Sequence, residues 1–90
     1  MKTAQAGTLE SMDCVVSLTE GAPKSGLSVT LSGASAARFG RAMERTVRAT
    51  LEQMGAVDAV VNVQDNGALD VILAARVEAA WRRLTGGEGA

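Results

Sequence analysis

The sequence predicts an α+β fold, a two-layer α/β sandwich in which a small sheet of about three strands carries two helices on one face. Three observations predict it. Two short stretches after Met12 and after Gly26 alternate apolar and polar side chains with period two. Two longer stretches, 35–54 and 68–84, repeat apolar residues at steps of three and four. Between the helical stretches lies a β-branched run from Val57 to Gln64. The order is therefore β-β-α-β-α.

Taken in order, residues 1–11 read as a polar, flexible N-terminal segment. Cys14, Val16 and Leu18 then share one side of a first strand, with Ser17 and Thr19 on the other. Glu20 to Gly26 is dense in turn residues and reads as a hairpin loop. Leu27, Val29 and Leu31 form the apolar side of a second strand, expected to pair with the first as an antiparallel hairpin. Ser35, with Ser32 as the alternative, is placed to cap a helix whose apolar positions are Ala36, Phe39, Met43, Val47, Leu51 and Met54, and Gly55 ends it. Ala59, Val61 and Val63 share a face of the third strand, which is expected to run parallel to the second from beyond the first. Asp65-Asn66-Gly67 is a turn. Leu69, Ile72, Leu73, Val77, Ala80, Trp81 and Leu84 define the last helix, although residues 68–73 also suit a strand. Residues 1–85 read as a single domain, followed by a disordered tail over 86–90.

Composition narrows the function. There is no His and no Tyr, which removes a Ser-His-Asp triad and any imidazole chemistry. One Cys permits no disulfide within the chain and, without His, too few ligands for structural zinc. The net charge of −1 and an aromatic share of 2% argue against nucleic-acid and membrane-surface binding. Neither a P-loop nor a Gly-x-Gly-x-x-Gly is present, and the acidic residues form no obvious pair.

Four places merit attention. Arg38, Arg41, Arg45 and Arg48 form a stripe on the first helix, either a solvated outer face or a dock for an acidic partner. Arg76 lies within the apolar side of the last helix, where it either snorkels or pairs with Asp65 or Asp13. Asp65 and Gly67 are explained by turn chemistry alone. Ser11 has no neighbouring base to activate it. Its surroundings suit a residue modified by another enzyme better than one doing chemistry itself.

Two motifs carry a resemblance. Gly7, Thr8, Leu9, Glu10, Ser11 and Asp13 match Gly-Thr-Leu-Glu-Ser-x-Asp in order. Asp65, Gly67, Ala68, Leu69, Asp70, Ala75 and Arg76 match an Asp-x-Gly-Ala-Leu-Asp/Glu turn followed by Ala-Arg. With both in register, the chain resembles the citrate lyase acyl carrier protein family, the gamma chain of that enzyme, over roughly residues 4–85. It departs from the family at Asn66, where lysine is usual, and at Val71, where cysteine is common. The malonate decarboxylase carrier subunit is similar, but usually lacks Thr-Leu-Glu before its serine.

The resemblance implies a non-catalytic carrier in the cytoplasm. Ser11 would bear a phosphoribosyl-dephospho-CoA group, derived from 2'-(5''-triphosphoribosyl)-3'-dephospho-CoA, whose thiol holds an acetyl or citryl thioester. Glu10 and Asp13 would help the attaching enzyme recognise the serine, and Asp65, Gly67 and Arg76 would lie on a docking surface. The implied partners are the alpha (acyl transferase) and beta (citryl lyase) subunits, a prosthetic-group transferase and an acetylating ligase, with no nucleic acid and no membrane. Other readings are a carrier for malonate decarboxylase or a related thioester lyase, and a plain protein-interaction module.

Overall fold

The computed structural model describes residues 2–86. The chain runs β1 (Thr3–Gly7), β2 (Asp13–Glu20), β3 (Leu27–Gly33), α1 (Ala36–Gln53), β4 (Ala59–Asn66) and α2 (Asp70–Gly86). The four strands form one mixed sheet in the order β1-β2-β4-β3. β1 pairs antiparallel with β2, β2 antiparallel with β4, and β3 parallel with β4. Cys14, Val16, Leu18, Ala59, Val61 and Val63 are buried on one face against Met43, Val47 and Leu51 of α1 and Leu73, Val77, Ala80 and Leu84 of α2. The other face is polar: the Thr3 and Thr19 hydroxyls meet at 3.1 Å, and Gln5 Nε2 donates to Ser17 Oγ at 3.1 Å. A sheet with one dry face and one wet face needs strict alternation, and β4 has it, burying every second residue.

The α+β class and the two helices stand; the strand count and the pairing are corrected. A fourth strand, β1, forms inside the segment read as flexible. Its sequence, TAQAG, is poor in β-branched residues, so propensity conceals it. It is held instead by its ladder to β2 and by Ala6, which is buried in the core. The expected β2–β3 hairpin does not form, because β4 lies between the two strands. Residues 21–26 step over a gap of two strand spacings, about 10 Å, which six residues bridge easily. β4 thereby takes a central position, hydrogen-bonded on both sides, with Ala59, Val61 and Val63 buried. α1 supplies the long crossover that a parallel β3–β4 pair requires.

Gly55 closes α1 at φ +83. Its amide donates to Glu52 O at 3.1 Å, and the Ala56 amide donates to Leu51 O at 2.9 Å, the Schellman arrangement. The start of α1 differs from expectation. Ser35 makes no side-chain capping bond, and Phe39 has non-helical angles (φ −120, ψ 16) that break the first turn from the rest. Phe39 consequently leaves the apolar face and is 52% exposed. Residues 70–73 are helical, which settles the alternative of a strand there. Gly86 ends α2, and the remainder of the expected tail, 87–90, lies outside the described residues. Among the described residues, no helix is long and apolar enough to cross a membrane.

Candidate functional site

Ser11 sits in the turn that joins β1 to β2, and the turn is built from both sequence motifs. Gly7 has φ +102, and a Cβ there would overlap the Cys14 carbonyl and lie 3.2 Å from Arg76 Cδ. Only glycine admits that approach. The Thr8 hydroxyl accepts from the Glu10 amide at 3.1 Å and donates to Asp13 Oδ2 at 2.7 Å. The Asp13 amide donates to Glu10 O at 3.1 Å. Met12 takes the left-handed φ of 63 that reverses the chain. From the facing strand, Asn66 O accepts from the Met12 amide and Asn66 Nδ2 donates to Leu9 O, each at 2.8 Å. The turn is thus pinned on both sides. Ser11 is exposed at its tip, and its hydroxyl has no hydrogen bond to another described side chain.

Asp13 lies under the turn. Arg76 donates to it through Nε at 2.9 Å and Nη2 at 2.7 Å, a two-pronged pair across 63 residues of sequence. The Cys14 amide donates to Asp13 Oδ1 at 2.7 Å. The bonds from Arg76 come first in holding the Asp13 carboxyl below the usual carboxylate range, followed by those from Thr8 and the Cys14 amide, with burial opposing them. The same bonds raise Arg76 above the ordinary arginine value. Of the two readings of Arg76, the ion pair is the one formed, and with Asp13 rather than Asp65.

Asp65 serves a different purpose. It is 5% exposed and faces Cys14 in the sheet. Its carboxylate accepts from the amides of Ser35 at 3.1 Å, Gly67 at 3.0 Å and Ala68 at 2.9 Å. Burial alone would raise its pKa, but the amide bonds outweigh burial and lower it. One side chain therefore ties the β3–α1 junction to the β4–α2 junction. Beneath both carboxylates, burial first, and then the charges of Asp13 and Asp65, push the Cys14 thiol up to about 11.

Beside the Ser11 turn opens a cleft of about 440 Å³, lined by Ser35, Phe39, Ala42, Met43 and residues 67–70. Leu69, expected in the helix core, is 58% exposed here. Thr46 Oγ1 donates to Asp70 Oδ1 at 2.7 Å, joining the two helices at this end. Of the arginine stripe, Arg48 is engaged by Glu44 at 2.8 Å and by Leu27 O at 3.1 Å. Arg38, Arg41 and Arg45 line an adjoining, more open hollow and form no ion pair among the described residues.

The structure brings Glu10, Ser11, Asp13, Gly67 and Arg76 to one end of the sheet, with Asp65 one register position away. Sequence reasoning missed Asn66. In the sequence it reads only as turn chemistry and a family departure, yet it holds the serine turn. A signal existed in its side chain, since a carboxamide next to a turn glycine can both donate and accept.

Residues 1–84 match the family model described as malonate decarboxylase delta subunit (MdcD). The chain is 44% identical over 84 residues to the citrate lyase acyl carrier protein of Haemophilus influenzae strain PittGG, covering 93% of this chain and 85% of that one. It is 42% identical over 83 residues to citrate lyase acyl carrier protein 2 of Salmonella typhimurium strain LT2, covering 92% and 84%. Among solved structures, a chain in the crystal structure of a Pseudomonas malonate decarboxylase hetero-tetramer in complex with malonate matches with a TM-score of 0.63 at 24% identity, covering 92% of this chain and 84% of that chain. At that identity the two share the fold.

Proposed function

The chain belongs to the acyl carrier family that includes the citrate lyase acyl carrier proteins, and on that premise we propose that it is the carrier subunit of a citrate lyase, loaded on Ser11. The observation that carries this reading is the presentation of Ser11. Thr8 and Asp13 of the first motif, Arg76 of the second and Asn66 hold one turn, and the hydroxyl at its tip is exposed and makes no hydrogen bond among the described residues.

Such a tip fits a phosphodiester-linked phosphoribosyl-dephospho-CoA group, because no side chain needs to move for the Ser11 oxygen to be reached. When attached, that group supplies a thiol for holding an acyl unit at the end of a long tether. The protein's own residues anchor and aim. Thr8, Asp13, Asn66 and Arg76 keep the turn rigid, so the tether starts from a defined point, which raises the local concentration of its far end at neighbouring active sites. Asp13 is consumed by this internal network, so its effect on loading acts through the turn. Glu10 is exposed and has no side-chain bond to another described residue, which leaves it available to the attaching enzyme. The partners on this reading are the alpha acyl transferase and beta citryl lyase subunits, the prosthetic-group transferase and the acetylating ligase, all in the cytoplasm.

A malonate decarboxylase carrier is the second reading, favoured by the family model's description. The complete Gly7-Thr8-Leu9-Glu10-Ser11 run and the names of the curated relatives favour citrate lyase. The test is intact mass of the protein co-produced with its own operon, with peptide mapping. One phosphoribosyl-dephospho-CoA on the Ser11 peptide, absent in Ser11→Ala, is expected, and the acyl group on the thiol separates the two readings. An unmodified chain alongside an active attaching enzyme would refute the proposal.

A further inference from the structure

The cleft beside the turn has no part in holding Ser11, and we propose that it is a resting dock for the acyl end of the tether. This inference rests on the carrier reading. The cleft takes in the thiol, or its short acyl thioester, between visits to the partner subunits.

Four features support that occupant. The first is position. Met12 Cα comes within 3.9 Å of where a Cβ on Gly67 would stand, and Gly67 lines the cleft, so the attachment residue is one step from its wall. The second is size, since about 440 Å³ lies within the range of small-ligand sites. The third is the lining. Phe39, Ala42, Met43, Ala68 and Leu69 offer apolar surface for an uncharged acyl end. The break at Phe39 places that ring on the cleft instead of in the core. The fourth is charge. Phe39 and Ala42 line both the cleft and the hollow bearing Arg38, Arg41 and Arg45. The Arg38 guanidinium lies 5.3 Å from the Phe39 ring centre. A basic flank continuous with an apolar slot suits a molecule with phosphates along its length and an uncharged acyl end.

The experiment follows the tether's own thiol. Cys14 is fully buried and its pKa is raised to about 11, so a neutral alkylating reagent reads the tether alone in the folded protein. Loading is first confirmed by intact mass. The alkylation rate is then compared with that of free coenzyme A, and backbone amide NMR spectra are compared before and after loading. The expected rate is about three- to tenfold slower than for free coenzyme A, the slowing set by the ratio of docked to free tether. Shift changes should reach residues 35–43 and 67–70. Ala42→Trp, at an exposed helix position, fills the cleft and should restore the fast rate; Leu69→Ser, which strips its apolar wall, should do the same without adding bulk.

A loaded protein that alkylates as fast as free coenzyme A, with shifts confined to the Ser11 turn, overturns the dock and leaves the carrier reading intact. Slow alkylation unchanged by either variant overturns the assignment to this cleft. Protection that appears only when partner subunits are added makes the cleft a subunit interface and likewise overturns it. Failure to gain mass overturns both proposals together.

Discussion

Replacing Asp65 with alanine should cost the protein far more than a turn residue normally would. The carboxylate is 5% exposed and accepts from three amides, those of Ser35, Gly67 and Ala68. Losing an acceptor leaves a buried donor unsatisfied, at about 1–3 kcal/mol each. Water can reach the partly exposed amides once the side chain is gone, so the lower end applies, and three donors amount to about 3 kcal/mol. In a chain of this size that corresponds to a fall in Tm of about 12–24 °C. Urea unfolding followed by fluorescence of Trp81, the single tryptophan, which packs against the core, measures it directly.

The pH dependence supplies an independent check. The Asp65 carboxyl has a lowered pKa when folded, so its stabilisation is complete above the unfolded value of about 3.9 and is lost as pH falls through the folded value. Asp13 has the same sign. Wild type should therefore lose stability below about pH 4 through both carboxylates, and Asp65→Ala should lose it less steeply, through Asp13 alone. A loss under about 1 kcal/mol, or an acid limb as steep as that of wild type, would refute the assignment of Asp65 as the tie between the two junctions.

Four further outcomes are expected. Ser11→Ala should leave the unfolding midpoint within about 0.5 kcal/mol of wild type while abolishing loading, measured by denaturation and intact mass; a larger shift would mean that the hydroxyl supports the turn. Gly33→Ala places a Cβ against the Asp65 carbonyl at a φ of +107, so it should destabilise by about 2 kcal/mol or more, and a neutral result would contradict the parallel β3–β4 register. Arg76→Met should quicken amide exchange across residues 9–12 and slow loading, and adding Asp13→Asn to it should cost less than the two single losses combined. Glu10→Gln should slow loading with no change in Tm; normal loading would remove Glu10 from recognition by the attaching enzyme.

The sequence by itself determined the class of five of the six elements and most of the positions they bury, Phe39 and Leu69 excepted. Period-two runs became β2 and β3, the β-branched run became β4, and steps of three and four became the two helices. These signals are local, because a half-buried strand or helix must repeat at its own geometric period wherever it lies. The two motifs likewise marked the residues around Ser11, since Gly7, with the Cys14 carbonyl packed where a Cβ would stand, admits no side chain. Only the tertiary structure decided what was not local. It recruited TAQAG as β1 despite weak propensity, because an edge strand is held by its ladder and by one buried alanine. It set β4 between β2 and β3, because a loop of six residues constrains distance but not strand order. It chose Asp13 for Arg76, placed Asn66 under the serine turn, and freed Phe39 from the core to line the cleft. Each of these depends on which residues far apart in the chain come to share a few ångströms, and that follows only when the sheet has closed its register and the helices have packed onto it.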